Sequence, residues 1–339
     1  MQYVASPKTG SVSKETRSFK KIVFALLSLI AIAAIPQFFP SSYWMQLINQ
    51  ALIYCILVVG LNFITGFTGQ INFGQAAFFG IGAYTTALMT TAGHSFWLAL
   101  PCSGIMAGAC SILLGLPTLR LRTYYLAMAT IGFGEIVSLI LIHWQEVTNG
   151  TSGIRGIPPI NVFGFTLTTH IHHYFFLVLF LFVLVVAARR IQDSRFGRGM
   201  IATKDSEIAA ELSGINTFWC KIIALVLAAF YAGLAGSIQA SYSNYVSPDQ
   251  FSGQQAILFF TMLVIGGSGS IAGAIIGAFV LTFLPEFLRF MQNWYMVFYG
   301  VGIIVSIILM PRGLVGVAEE ASSLLQRRYK FMLRKRSAV

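Results

Sequence analysis

Among the 339 residues, the groups able to exchange protons, bind metal or attack a bond are few: eleven carboxylates, five histidines and four cysteines. Glu135 is the carboxylate set well inside an apolar stretch. An unpaired charge is costly in such surroundings, so Glu135 is protonated, paired or facing water. Two readings follow: it orients the ammonium of a passing solute, or it ties two helices together. Asn62, Gln70, Asn72 and Gln75 are polar groups in similar surroundings and carry the same pair of readings. His170, His172 and His173 come without a cluster of Cys or carboxylates, which disfavours metal and points to a membrane-interface position. Cys55, Cys102, Cys110 and Cys220 lie in apolar runs without a CxxC, as small buried hydrophobes do. Glu286 and Arg289, at i and i+3, need no more than each other. There is no catalytic triad, metal motif, paired-carboxylate arrangement or GxxxxGK[ST] phosphate loop. The chain is therefore not expected to be an enzyme, nor to bind a cofactor or hydrolyse ATP by itself.

The elements that must position these groups are apolar. The chain is 56% hydrophobic and 10% charged, too few charges to cover a soluble domain of this length. No Asp, Glu, Lys or Arg occurs from Ile22 to Leu119, and Asp249 alone interrupts Ile222 to Pro285. A helix crosses a bilayer in about 20 residues, so each stretch holds several crossings. About ten apolar segments are expected, near 21–39, 43–64, 71–92, 95–119, 123–143, 170–188, 219–241, 254–266, 270–288 and 293–310. The run near 254–266 is short, and suits a tilted, broken or re-entrant helix. The basic start followed by Ile22–Ile35 has no small-residue cleavage site, so a retained first helix is expected rather than a signal peptide.

The net charge of +11 is concentrated beside these spans. Basic residues sit in the N-terminal tail, at Arg120 and Arg122, through 189–204 and in the C-terminal tail. That pattern marks the cytoplasmic side and excludes a nucleic-acid surface. With the N-terminus inside, every large basic cluster falls inside and the 144–169 loop falls outside. Ten crossings satisfy this parity; nine do not. Eight also do, if 254–288 forms a re-entrant hairpin.

Two Gly-rich patches, 65–74 and 266–273, interrupt the apolar sequence, one in each half. They either pack helices closely or break helices that line a solute pathway. On the second reading Gly69, Gly266, Gly267 and Gly269 join Asn62, Gln70, Asn72, Gln75 and Glu135 as pathway residues. The 189–218 loop contains Arg195-Phe196-Gly197-Arg198 and then Ser206-Glu207-Ile208-Ala209-Ala210-Glu211-Leu212-Ser213-Gly214. Ser206 caps a short helix, Glu207 suits its positive end and Gly214 stops it. Such an amphipathic helix either lies on lipid or docks into a groove on a partner.

Here the sequence resembles a family. The loop is similar to the "EAA" coupling loop of bacterial ABC importer permeases, although Ile208 stands where the leading Glu is usual. The LivM-type branch, serving branched-chain amino acids, resembles the chain from the second segment to the tenth. The matching stretches are Gly60-Leu61-Asn62, Gly66-Phe67-Thr68-Gly69-Gln70, Phe78–Tyr84, Thr130–Ile136, Thr148–Ile154, the 189–218 loop, Tyr245-Val246-Ser247-Pro248, Ile265–Ser270 and Pro311-Arg312-Gly313-Leu314. Gln75 stands where many relatives have His.

The resemblance implies an all-α polytopic integral membrane protein with about eight to ten transmembrane helices and Gly-rich breaks. It implies the permease subunit of an ATP-driven importer for branched-chain or related amino acids in the bacterial inner membrane. Its partners would be cytoplasmic ABC ATPase subunits that carry the ATP and Mg, a second related permease, a periplasmic or lipid-anchored solute-binding protein, and the lipid bilayer. Residues Arg195, Phe196, Gly197, Glu207, Ala209, Ala210, Glu211 and Gly214 would meet the ATPase. The expected organisation is a basic cytoplasmic tail over 1–20, a transmembrane region over 21–311 and a second basic cytoplasmic tail over 312–339. The alternatives are a urea or short-amide permease of the same build, and an ion-coupled secondary transporter using Glu135.

Overall fold

In a computed structural model, residues 41–118, 123–162, 164–289, 300 and 313–316 are described. The expected segment near 21–39, almost all of that near 293–310, Arg120, Arg122 and the basic residues of both tails lie outside them. The chain divides into a short unit, Met1–Gln46, and a large one, Leu47–Val339. The first helix, α1 (Ser42–Leu61), starts in the former; the core and the sites below belong to the latter.

The other main helices follow the apolar runs: α2 (Gln75–Thr91), α3 (Phe96–Thr118), α4 (Thr123–His143), α6 (His170–Asp193), α9 (Thr217–Ser243), α10 (Gly253–Gly266) and α11 (Ile271–Phe287). Between them lie short helices: α5 (Gln145–Thr148), α7 (Arg195–Asp205) and α8 (Glu207–Leu212). Among the described residues, five helices are long and apolar enough to cross a membrane: Ser42–Phe67, Phe96–Thr118, Tyr125–His143, His170–Asp193 and Thr217–Ser243. Their outer faces are apolar. Leu113, Met128 and Phe182 are 77%, 70% and 65% exposed, a surface that hydrocarbon solvates and water does not.

The hub is α9, which packs along α2 and α3. Small residues make this approach close. A Cβ at Gly233 would lie 2.9 Å from the Cα of Gly104 in α3. At Gly82 it would overlap the backbone of Gly233, and at Gly236 that of Phe79. Thr86 and Ser237 seal the α2–α9 contact with a 2.7 Å hydrogen bond between their hydroxyls. In a bilayer the association of helices rests on such contact and on polar ties, because lipid tails are as apolar as leucine.

Among the described residues the regular structure is helical, as expected, apart from two small antiparallel ladders. β1 (Ile154–Arg155) pairs with β4 (Tyr245–Val246), and β2 (Asn161–Val162) with β3 (Phe165–Thr166). The first ladder straps the 144–169 loop to the link between α9 and α10. Ile154 in this ladder and Ile157, Ile160 and Leu167 further along the loop are buried, so this loop is a packed cover rather than a loose connection.

The short segment expected near 254–266 is α10, whose 14 residues span about 21 Å, less than a bilayer core. It is preceded by Ser247–Ser252, where Phe251 buries its ring against Phe79 and Tyr84. α10 and α11 form a tight hairpin, with Gly273 and Gly277 against the backbone of Gly266. The hairpin turn at 267–270 reaches the end of the protein that carries α7, beside the end of α1.

Candidate functional site

Both Gly-rich patches are helix breaks, and the fold brings them together. α1 runs into a π-helical segment, Asn62–Phe67, and the chain stays irregular until α2 starts at Gln75. The second break separates α10 from α11, with Gly267 and Gly269 at φ +118 and +94, a region open to glycine. Asn62 Oδ1 accepts a 2.8 Å hydrogen bond from the Gly269 backbone N–H, across 207 positions of sequence. A Cβ on Gly66 would lie 2.7 Å from that same nitrogen, so bare backbone is needed at Gly66, whereas at Gly269 it is the positive φ that calls for glycine.

A third element completes the junction. Lys204, near the end of α7, donates from Nζ to the Gly66 carbonyl at 2.8 Å. Its stem crosses Gly69, whose Cβ would stand 3.1 Å from Lys204 Cγ. A helix end leaves carbonyls unpaired and concentrates partial negative charge there, and Lys204 meets both demands.

α7 and α8 are joined at one residue. Ser206 ends α7 and caps α8, its Oγ accepting from the Ala209 N–H at 3.3 Å. Gly214 follows at φ +80, as a helix stop requires. The acidic residues of α8 turn toward their own protein. Glu207 pairs with Lys221 at the start of α9, and Thr217 Oγ1 donates to Glu211 Oε1 at 2.7 Å. Lys221 is 5% exposed and so depends on this partner. Ala210 is buried on the same side. Ile208 and Leu212, one turn apart, are 74% and 86% exposed. α8 is thus tethered by its carboxylates and presents two large apolar side chains outward.

The sequence matches the family model "Branched-chain amino acid transport system / permease component" over residues 43–307. It belongs to that family of membrane permeases. The high-affinity branched-chain amino acid permease LivM of Salmonella typhimurium is 32% identical to the permease described here, over 93% of this chain and 80% of its own. LivH of Escherichia coli, named for the same transport system, is 25% identical over 78% of this chain and 92% of its own. The ribose import permease RbsC of Haemophilus influenzae is 23% identical over 82% of this chain and 86% of its own. No solved structure matches the chain. The family consists of transport components, so this permease is a transport subunit and not an enzyme.

The remaining residues singled out from the permease sequence separate into two places. Asn62, Gly69, Gly266, Gly267 and Gly269 belong to the junction of the breaks. Gln70 is buried beside it. Asn72 folds back on its own turn, accepting from the Gly74 N–H at 2.8 Å. Gln75 ties three helices, donating from Nε2 to the carbonyls of Leu57 (3.2 Å) and Ala228 (3.0 Å). Glu135 stands apart. It opens into a cleft of about 620 Å³ with Asp249, Ser252, Gly253 and Gln254, on the α4 face turned to the start of α10. A Cβ on Gly253 would come within 3.0 Å of Glu135 Oε1, so the carboxylate lies against bare backbone.

In α7, Arg195 lies 5.0 Å from the Phe196 ring centroid, both exposed. Gly197 is buried where a side chain would collide with the end of α6. His170 bonds Tyr242 through Nδ1 at 3.1 Å, and Nδ1 of His173 faces the Thr169 carbonyl, at the permease end opposite the junction. No metal-binding group of His, Cys, Asp or Glu occurs among the described residues. Glu286 and Arg289 pair at 3.4 Å.

Four residues of these sites do not stand out in the sequence as candidates: Lys204, Lys221, Ile208 and Leu212. Lys204 is indistinguishable there from the basic residues that mark a membrane side. The i, i+4 spacing of Ile208 and Leu212 around inward-turned acids is the available signal.

Proposed function

We propose that the chain is one permease subunit of an ATP-driven importer in the bacterial cytoplasmic membrane, carrying branched-chain amino acids. The observation that carries this reading is α8, with Ile208 and Leu212 exposed and Glu207 and Glu211 tied to the chain itself. A helix so tethered passes on the motion of whatever grips its outer face. The grip comes from a cytoplasmic ATPase that binds ATP and Mg, since this chain has no phosphate loop. The named function of LivM and LivH supports the cargo and a related second permease beside this one. A solute-binding protein, periplasmic or lipid-anchored, meets the opposite end at the packed 144–169 cover.

The 1–20 and 312–339 tails are cytoplasmic in this arrangement, with the transmembrane region between them. Arg195, Phe196, Ala209 and Gly214 border the ATPase, while Gly197, Glu207, Ala210 and Glu211 hold the docking helix in shape. The solute passes between Glu135, whose carboxylate receives its ammonium, and the polar side chains of Gln70, Asn72 and Gln75, and is released where the junction of Asn62, Gly69, Gly266, Gly267 and Gly269 opens.

The test is purification of the tagged chain from native membranes, followed by reconstitution. An ATPase and a second permease should co-purify, and Ile208→Ser with Leu212→Ser should reduce recovery of the ATPase about tenfold. Vesicles should then accumulate labelled leucine with ATP, and urea should not compete. Uptake of urea in place of leucine would reassign the cargo. A folded chain that brings down no ATPase and transports without ATP would overturn the reading, leaving Glu135 as the residue of an ion-coupled carrier.

A further inference from the structure

We infer that Lys204 is the positioning residue that carries motion of the docking helix to the two helix breaks. The inference rests on the importer reading above, because it needs an ATPase to move α8.

Three elements far apart in sequence meet at one ammonium. Lys204 Nζ donates to the carbonyl of Gly66 at 2.8 Å, and lies 3.5 Å from where a Cβ on Gly269 would stand. Gly66 belongs to the first break and Gly269 to the second, and Asn62 already bonds the two together. Among the described residues no carboxylate lies in ion-pair range of Lys204, so its hold on the junction is through backbone carbonyl. A charged donor to an otherwise unpaired helix-end carbonyl is a strong tie, yet it breaks without leaving a buried ion pair behind.

The mechanical path is short. Lys204 lies just ahead of Ser206, at once the end of α7 and the cap of α8. α8 is pinned at its other side to α9 through Glu207–Lys221 and Glu211–Thr217. A pull on Ile208 and Leu212 therefore turns α8 about its α9 anchor and withdraws Lys204 from Gly66. The Asn62–Gly269 bond then remains as the tie between the breaks. With Lys204 seated, the first break is anchored to α7; with Lys204 withdrawn, the Asn62–Gly269 bond is the one hydrogen bond among the described residues that still ties the breaks, and they part more readily. The residue touches no solute and binds no nucleotide. Its work is to make opening of the breaks conditional on the position of the docking helix.

The experiment uses the complete transporter in liposomes, with its binding protein and ATP, and reads ATP hydrolysed per leucine accumulated. Lys204→Met should leave assembly and hydrolysis near wild type and raise that ratio about tenfold, the scale of a coupling free energy between sites. Lys204→Arg, which keeps a charged donor, should recover much of the coupling. Lys204→Cys should be uncoupled and regain coupling when aminoethylated to restore an amine at the same reach. This rescue keeps the test decisive if the methionine variant assembles poorly. A ratio within twofold of wild type in an assembled Lys204→Met complex would overturn the inference, as would aminoethylation that leaves the cysteine variant uncoupled. Failure of the importer reading looks different: the wild-type complex itself would show leucine uptake independent of ATP.

Discussion

Along the seam of α2, α9 and α3, Gly82, Gly233 and Gly236 stay helical and let backbones touch. At the junction of the breaks, Gly267 and Gly269 leave the helical region, and their neighbourhood is joined by the hydrogen bond that Asn62 accepts from Gly269 and the one that Lys204 donates to Gly66. The seam needs the absence of a side chain and is close-packed backbone against backbone. The junction needs a backbone shape that glycine adopts freely, and its polar contacts can be exchanged. Close packing is bistable at best and costly to disturb, whereas a few directional bonds part at modest cost. Stiffness therefore resides in the seam and movement at the junction.

Four measurements can break or sharpen that contrast. The largest effect is expected from Gly233→Leu, which would drive atoms into the Ser103 carbonyl and Gly104. It should cost more than about 3 kcal/mol, seen as loss of monodisperse protein and a collapsed Tm in detergent. Glu207→Gln strips the buried Lys221 of its partner. Because Glu207 is half exposed, the expected cost is about 2 kcal/mol, read as a lower Tm that Lys221→Met in the same chain partly restores. Gly269→Ala strains a single positive-φ position, so the Tm should fall by only about 1 to 2 kcal/mol equivalent while ATP-driven uptake fails. Equal stability losses at Gly269 and Gly233 would erase the distinction between seam and junction. The smallest change is expected from Arg289→Met, an exposed pair worth about 0.5 kcal/mol or less, with uptake unaltered.

Most of the membrane architecture is legible in the amino-acid sequence. The helices over 42–67, 96–118, 170–193 and 217–243 fall where apolar runs without charge predict them, because a bilayer leaves a spanning backbone few alternatives. The cap at Ser206 and the stop at Gly214 are also legible, being local chemistry. The meeting of Asn62 with Gly269 is not, since no local pattern relates positions 207 residues apart. Nor is the inward face of α8: the i, i+4 spacing pairs Ile208 with Leu212, but in six residues it does not tell which side is buried with Ala210 and which projects. Glu135 shows the limit from the other side. Its isolation marks it in sequence, yet its neighbours Asp249 and Gly253 are brought to it by the fold of the chain between α9 and α10.

What the sequence determined by itself, among the described residues, is where the apolar helices run, where glycine interrupts them and the short capped helix after Ser206, all dictated by hydrophobic length, glycine and backbone hydrogen bonding. What only the tertiary structure decided is which break meets which, and that Lys204 sits between them, because such contacts depend on how helices close-pack across the whole chain.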